Sequence, residues 1–342
     1  MVFSSSAIIA SVKFDNSYIF VGKQILWASM GIILLLFLSR VDYNKLHIVS
    51  HPLIILSFLL LVAVLFVKDP VSSSGVHRWF RLGRFSFQPS EMAKYAVILF
   101  FADFIDRRQS KLSEFRSGIL PVLAILIVFL FLIYIEPDLG TTVSLGIVCM
   151  VLLFLGGIKL YYLLAFILCT FPPLYIAIFS VPYRRERIVA FLNPWQDPQG
   201  KGYQLIQALV AMGSGGFWGK GLGASQAKLL YLPESYTDFI FPIIGEELGF
   251  LGASLIIVLF VVFTWRGMKI AIGAPNMFGT LLAAGITFLI AIQAILNIGV
   301  VTGWLPTKGL VLPFLSFGGS SLVFNLMGVG ILLSISRQAK WT

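Results

Sequence analysis

Basic side chains with the spacing of an anion-binding site lie together in one short part of the chain. Arg78, Arg81 and Arg84 recur at every third residue, and Glu91 and Lys94 follow. A row of arginines beside a lysine could hold a phosphate or a pyrophosphate through charge-assisted hydrogen bonds. The alternative is an interfacial segment whose arginines reach the lipid headgroups. Lys94 falls inside an apolar run, where a lysine needs a partner or a water-filled cavity.

Acidic side chains cluster in a later segment. Glu234 and Asp238 are four residues apart, and Glu246 and Glu247 follow within an apolar run. Pro233 suits the first turn of a helix, which would set Glu234 and Asp238 on one helix face at the boundary between water and lipid. Because carboxylates at membrane depth are costly, they mark a functional site or a paired structural contact. Alternatively, Glu234 and Asp238 are solvated acids at the start of a helix. For Glu246 and Glu247 the alternative is a structural role as partners of nearby cations.

Two further segments combine ionisable residues with residues that break helices. EPDLGTT contains Glu136 and Asp138, and GWLPTKGLVLPFLSFGGSSL contains Lys308 between Pro306 and Pro313. Non-helical backbone at membrane depth survives only where it is buried in protein or lines a cavity. These segments therefore predict a shared cavity that opens outward, with packing alone as the alternative.

A glycine-rich segment precedes the acidic cluster. GSGGFWGKGLGA, residues 213–224, formally fits the GxGxxA pattern of dinucleotide-binding folds. No strand precedes it and no βαβ unit surrounds it, so a dinucleotide site is excluded. We expect these glycines to supply positive φ angles or close backbone approach instead.

The elements that carry these residues are predicted to be membrane-spanning helices. Of the 342 residues, 58% are hydrophobic and 12% are charged, and the mean hydropathy is +0.94. This composition excludes a soluble domain and predicts an all-α polytopic membrane protein. The net charge of +10 does not indicate nucleic-acid binding, because its basic residues lie in short loops between apolar runs. Full spans are predicted at 24–39, 52–67, 92–105, 117–135, 140–158, 160–180, 239–264, 277–300 and 310–335.

The loops between these spans suggest an orientation. One alternate set of loops is denser in Lys and Arg and is assigned to the cytoplasm, although raw counts favour the other set. The largest interruption, residues 181–238, then lies on the outer face. An interruption of this length is usually functional, and its apolar stretch at 203–212 predicts an interfacial or re-entrant helix. The first residues, MVFSSSAIIASV, are too short to cross a membrane and are interpreted as the end of a truncated span.

Five ordered motifs resemble one known family. They are FSFQPSEMAK at 85–94, EPDLGTT at 136–142, the segment 193–225 that begins NPWQDPQGKG, the segment 228–250 that contains YTDF, and LPTKGLVLPFLSFGGSSL at 305–322. Together they cover almost the whole chain and resemble the SEDS family, the shape, elongation, division and sporulation group that includes FtsW, RodA and SpoVE. NPWQDP, IGEELGF and SFGGSS are more similar to the FtsW branch than to RodA.

The resemblance implies a single transmembrane domain over 1–342, with about ten helices in the family and nine full spans plus a truncated first one here. It implies an inverting enzyme that polymerises lipid II into glycan strands outside the cytoplasmic membrane of a bacterium, at the division septum, with a class B penicillin-binding protein and other divisome or elongasome membrane proteins as partners. The family's essential acid corresponds to Asp238, which would act as general base. The family's basic pair corresponds to Arg84 and Lys94, and Lys308 would join them in offsetting charge on the undecaprenyl pyrophosphate.

Supporting roles are expected for five acids near these residues: Glu91, Asp138, Glu234, Glu246 and Glu247. A divalent cation such as Mg or Mn that bridges carboxylate and pyrophosphate is chemically reasonable, although the metal ligands are unknown from sequence. Two alternatives to an enzyme are a transporter that flips lipid II across the bilayer and a non-catalytic scaffold of the division machinery.

Overall fold

The protein is almost entirely helical. Its structure, a computed structural model, describes residues 1–67, 78–82, 85–109, 112, 114–228, 232, 235–307 and 309–339. The helices in these ranges are α1 Val2–Phe14, α2 Ile19–Arg40, α3 Leu46–Phe66, α4 Pro89–Arg107, α5 Leu120–Ile135, α6 Leu139–Leu155, α7 Leu160–Phe179, α8 Pro182–Leu192, α9 Tyr203–Ser214, α10 Ile240–Gly273, α11 Met277–Val301 and α12 Gly319–Gln338. A short antiparallel ribbon, β1 Phe80–Leu82 and β2 Phe85–Phe87, precedes α4.

Long apolar helices confirm the prediction of a multi-pass membrane protein. Within the described ranges, six helical segments are long and apolar enough to cross a membrane: Ile19–Arg40, Tyr43–Phe66, Phe115–Ile135, Ile240–Gly273, Met277–Val301 and Gly319–Gln338. The other predicted spans correspond to α4, α6 and α7. The helix α4 is less apolar because it carries Glu91, Lys94 and Asp103, and all three side chains are buried in the protein.

The start of the last predicted span is wrong. The apolar run begins at 310, but α12 begins only at Gly319. Pro313 has no backbone N–H to donate to a helical hydrogen bond, and the Leu312 N–H donates to Ser316 Oγ at 2.8 Å. Leu310 and Leu312 are buried, so this apolar segment is a packed, non-helical loop.

The chain divides into two compact units. The first comprises Met1–Leu26, Ala165–Val262 and Gln293–Gly318, and the second comprises Trp27–Leu164, Phe263–Ile292 and Gly319–Thr342. In the first unit a core of small, aliphatic and phenylalanine side chains joins α9, the start of α10 and the end of α11. In the second unit α4 is central: it is buried almost throughout and packs against α3, α5, α6 and α12.

Candidate functional site

Asp238 lies in a turn directly before α10. Residues 235–239 form turns, and the helix begins at Ile240. The prediction of a helix that starts at Pro233 and carries Asp238 in its first turns is therefore wrong. Pro233 and Glu234 lie outside the described residues. The side chain of Asp238 is half-buried.

An aromatic contact fixes the turn that carries Asp238. The Phe317 amide donates to Tyr236 O at 2.9 Å. The rings of Tyr236 and Phe317 both pack on Phe20, with centroids 5.0 and 5.1 Å away. Since α1 and α2 bring Phe20 to this position, residues near the start of the chain help to hold the turn in place.

The loop between α11 and α12 lies beside Asp238. Asn297 Nδ2 donates to the backbone oxygen of Asp238 at 2.9 Å and to that of Leu310 at 2.5 Å. A Cβ atom placed on Gly309 would lie 2.8 Å from Asp238 Oδ2, so the carboxylate rests against the backbone of this loop. Lys308 lies outside the described residues, between Thr307 and Gly309.

The large loop predicted from the sequence contains two helices and reaches the same region. The apolar stretch at 203–212, which was predicted to form an interfacial or re-entrant helix, forms the helix α9, Tyr203–Ser214. From α8, Arg187 Nη1 donates to the backbone oxygen of Thr307 at 3.2 Å. The loop with Lys308 is thus held from α8 at one end and from α11 at the other.

Each of the two glutamates in α10 has a lysine partner. Glu246 accepts from Lys220 Nζ at 2.8 Å, and Glu247 accepts from Lys228 Nζ at 3.0 Å. Both glutamates are buried, and Ser4 Oγ also donates to Glu247. These contacts agree with the alternative that treats the two acids as structural partners of nearby cations.

The glycine-rich loop fills a break in α10. Gly249 has φ 66° and ψ −165°, which interrupts the helix. The backbone oxygens of Glu246 and Glu247 accept from the amides of Lys220 and Gly221, both at 3.0 Å. In an unbroken helix these oxygens would accept from residues four positions later, so the loop replaces those helical donors.

The same exchange occurs on the other side of the break. The amides of Phe250 and Leu251 donate to the backbone oxygens of Gly216 and Phe217, at 2.9 and 3.3 Å. Glycines are required because the two backbones touch: a Cβ on Gly219 would lie 2.3 Å from Glu247 O. The expectation of positive φ and close backbone approach is confirmed, with φ values of 57°, 82°, 100° and 84° at Gly216, Gly219, Gly221 and Gly223.

Of the predicted basic residues, Lys94 lies in the second unit. Lys94 is fully buried, and its Nζ lies 2.8 Å from Glu91 Oε2. The lysine therefore has the partner that its position in a span demands. Arg84 lies outside the described residues, while β1 and β2 around it form the ribbon that the sequence did not predict. This ribbon is fixed to α12 because the Gln88 amide donates to Ser320 Oγ at 3.2 Å and Ser320 Oγ donates to Ser86 O at 3.1 Å.

Asp138 and Arg78 organise the turn between α5 and α6. Asp138 caps α6: Oδ1 accepts from the Thr141 amide at 3.0 Å, and Oδ2 accepts from Thr141 Oγ1 at 2.7 Å. Arg78 donates to the backbone oxygens of Glu136 and Pro137, at 2.5 and 2.6 Å. Asp138 thus has a capping role here.

Glu136, which the EPDLGTT segment contains but which was assigned no site role from the sequence, is an unusual group. Its side chain is fully buried, and neither carboxyl oxygen has a hydrogen-bond partner among the described residues. Burial raises the pKa of Glu136 from 4.5 to about 8, and the nearby charge of Asp138 adds to this effect while Arg78 opposes it. The carboxyl group is thus mainly protonated at neutral pH.

A family model described as a cell cycle protein, FtsW, RodA and SpoVE, matches residues 1–341. Stage V sporulation protein E of Bacillus subtilis is 46% identical over 342 residues, which cover all of this chain and 93% of that protein. The probable peptidoglycan glycosyltransferase FtsW of Geobacter metallireducens is 41% identical over 342 residues, which cover all of this chain and 91% of that protein.

Two solved structures are similar over nearly the full chain. One is a chain of a peptidoglycan synthase complex that coordinates polymerization and crosslinking, with a TM-score of 0.77 and 30% identity over 99% of this chain and 97% of that chain. The other is the rod shape determining protein RodA of Thermus thermophilus, with a TM-score of 0.69 and 25% identity over 99% of this chain and 95% of that chain.

Proposed function

This chain belongs to the FtsW, RodA and SpoVE family of cell cycle proteins, and from that premise we propose that it is a peptidoglycan glycosyltransferase. Its substrate is lipid II, and its product is a glycan strand on the outer face of the cytoplasmic membrane. The relatives named FtsW support the activity. The observation that carries the chemistry is the half-buried carboxylate of Asp238, which lies against the backbone of the loop containing Lys308.

Asp238 acts as general base in this proposal. Its carboxylate takes the proton from a hydroxyl of the acceptor sugar as the hydroxyl oxygen attacks the anomeric carbon of the donor. The bond from that carbon to the pyrophosphate oxygen breaks, and undecaprenyl pyrophosphate leaves with the electron pair. Attack on the face opposite the leaving group inverts the anomeric centre. A base placed in this way contributes about 10²–10⁴-fold to the rate.

Cationic side chains offset the charge that develops on the leaving pyrophosphate. Arg84, Lys94 and Lys308 correspond to this role by resemblance. Because Lys94 is buried and paired with Glu91, its charge is already balanced within the protein. We therefore assign direct contact with the pyrophosphate to Arg84 and Lys308, with Lys94 acting by holding Glu91 and the start of α4.

A divalent cation fits this proposal as a bridge between protein and substrate. Among the described residues, no three His, Cys, Asp or Glu side chains lie close enough together to hold a metal ion. Mg²⁺ is commonly held by one or two carboxylates together with substrate phosphates. Asp238 is the carboxylate that would share the ion with a pyrophosphate, and the ion would supply charge neutralisation. Polymerisation that persists unchanged in excess EDTA would remove the cation from the proposal.

The proposed setting is the bacterial cytoplasmic membrane, with a class B penicillin-binding protein as partner. The similar chain from a peptidoglycan synthase complex supports a paired polymerase and crosslinking enzyme. Relatives named FtsW and stage V sporulation protein E support a role in division or in the related process of sporulation. We place the protein at the division septum.

Reconstitution with labelled lipid II tests the proposal. The purified protein in liposomes, with and without a cognate class B partner whose crosslinking site is blocked, should produce polymer that a muramidase digests. Transfer of labelled lipid II between leaflets without polymer would replace the enzyme by a transporter. If protein that is folded and bound to its partner shows neither polymerisation nor lipid II transfer, the proposed enzyme would be replaced by a scaffold.

A further inference from the structure

One side chain joins the turn that carries Asp238 to the loop that carries Lys308. The carboxamide nitrogen of Asn297 donates to Asp238 O at 2.9 Å and to Leu310 O at 2.5 Å. Asn297 is buried, on the part of α11 that belongs to the first unit. Both N–H groups of a single amide are thus used to hold two separate backbone segments at a fixed distance from each other.

The orientation of this amide is determined by its two acceptors. If the amide were reversed, Oδ1 would face two carbonyl oxygens and repel both. In the observed orientation Oδ1 is buried, and no partner for it lies among the described residues. An unpaired buried acceptor is unfavourable for stability. Asn297 is therefore better explained by the geometry that it imposes than by a contribution to folding.

Gly309 contacts the carboxylate of Asp238 from the loop. A Cβ on Gly309 would lie 2.8 Å from Asp238 Oδ2, which is closer than a carbon and an oxygen can pack. Gly309 is exposed. The missing side chain leaves the space that the carboxylate occupies.

We propose that Asn297 and Gly309 are positioning residues for Asp238. Asn297 sets the distance between the backbone of Asp238 and the loop, and Gly309 sets where the carboxylate lies against that loop. Neither residue is required to touch the substrate. The proposal rests on the proposed function, in which Asp238 is the base, and it adds the residues that determine where the base stands.

Two substitutions test the linkage from opposite sides. Asn297→Ala removes both hydrogen bonds, and Gly309→Ala pushes the carboxylate away from its place. Because a displacement of about 1 Å can lower a rate by about 100-fold, kcat for lipid II polymerisation should fall by about that factor in each variant. KM should change by less than about 3-fold, because ground-state binding is retained.

Matched controls separate positioning from damage to the fold. Gln293→Ala removes another buried amide one helical turn earlier on α11. Gly213→Ala adds a methyl group where no atom outside the neighbouring backbone of its own helix lies within 4 Å. Both controls should keep kcat within about 3-fold of the unmodified protein. A control that loses as much kcat as its partner variant would overturn the proposal, as would full kcat in Asn297→Ala or Gly309→Ala.

A double variant tests whether Asn297 acts through Asp238. Asp238→Glu moves the carboxylate by one methylene, so the linkage can no longer place it correctly. Adding Asn297→Ala to Asp238→Glu should lower kcat by less than about 3-fold. A second loss of about 100-fold would mean that Asn297 acts independently of Asp238 and would refute its role as a positioning residue.

Hydrogen exchange measures the linkage without any catalysis. In Asn297→Ala the amides of 235–240 and 309–312 should exchange faster together, whereas Gln293→Ala should leave them unchanged. Unchanged exchange in Asn297→Ala would overturn the linkage itself. If the unmodified protein formed no polymer, the proposed function would fail while this exchange result still decided whether Asn297 joins the two segments.

Discussion

Glu246 offers a direct test of how the glycine-rich loop is held against α10. The carboxylate accepts from Lys220 Nζ at 2.8 Å, Ser225 Oγ at 2.5 Å, Gln226 N at 3.1 Å and Ala227 N at 3.2 Å. Replacing Glu246 by Gln keeps the shape of the side chain. It also turns one acceptor oxygen into an NH₂ group, which must face donors.

The expected loss follows from burial. Glu246 is 1% exposed, and a hydrogen bond to a charged group contributes about 1.5–3 kcal/mol. The Lys220 side chain is 32% exposed, so the loss of its ion pair adds little. Two buried donors that lose their acceptor therefore cost about 3 kcal/mol, which corresponds to an increase of about 100-fold in the equilibrium constant for local opening.

Hydrogen exchange with mass spectrometry measures this opening. The amides of Gln226 and Ala227 should exchange about 100-fold faster in Glu246→Gln. Glu186→Gln is the matched control, because Glu186 forms an exposed ion pair with Lys201 at 2.9 Å and should not change exchange in the loop. Equal protection of residues 225–228 in Glu246→Gln and the unmodified protein would refute the conclusion that Glu246 holds the loop against α10.

Three further predictions concern other buried groups. Gly249→Ala should destabilise the protein by at least about 2–3 kcal/mol, since a Cβ there would lie 2.3 Å from Gly219 N, and differential scanning fluorimetry should show the loss. Lys94→Met leaves Glu91 buried without its partner and should lower the free energy of unfolding by about 3–5 kcal/mol. Adding Glu91→Gln to Lys94→Met should restore most of that loss. If the double variant is no more thermally stable than Lys94→Met, the pairing of Lys94 with Glu91 is contradicted. Glu136→Gln should stabilise the protein above pH 8, because the raised pKa of Glu136 lowers the free energy of unfolding as pH rises from 4.5 to about 8. The gain is at most about 5 kcal/mol. A difference in melting temperature between the two proteins that stays constant from pH 5 to 9 would contradict the raised pKa.

The membrane helices could be predicted from the sequence because their signal is local. Apolar runs of about 20 residues identify spans whatever their neighbours are. This signal is misleading where hydropathy and backbone geometry disagree: the run from 310 is apolar, but Pro313 cannot continue a helix, and α12 starts at Gly319. The break at Gly249 was missed for a related reason. A single glycine within an apolar run does not reveal that a loop supplies the missing hydrogen bonds.

The candidate site could be predicted only in part. The motif that contains Asp238 and the cost of burying Lys94 are visible in the residues themselves. The partners are not: Glu246 with Lys220 and Asp238 with Asn297 are separated by 26 and 59 positions. Their pairing depends on how the helices pack, and a single sequence does not encode that packing in any local pattern.

The central claim is that the carboxylate of Asp238 is the base that drives glycan polymerisation. Asp238→Asn removes the base and changes the volume of the side chain very little. In liposomes with labelled lipid II and the class B partner, this variant should bind lipid II, keep the melting temperature of the unmodified protein, and form no polymer while the unmodified protein does. Polymer formed by Asp238→Asn at the unmodified rate would contradict the claim and return the mechanism to another residue.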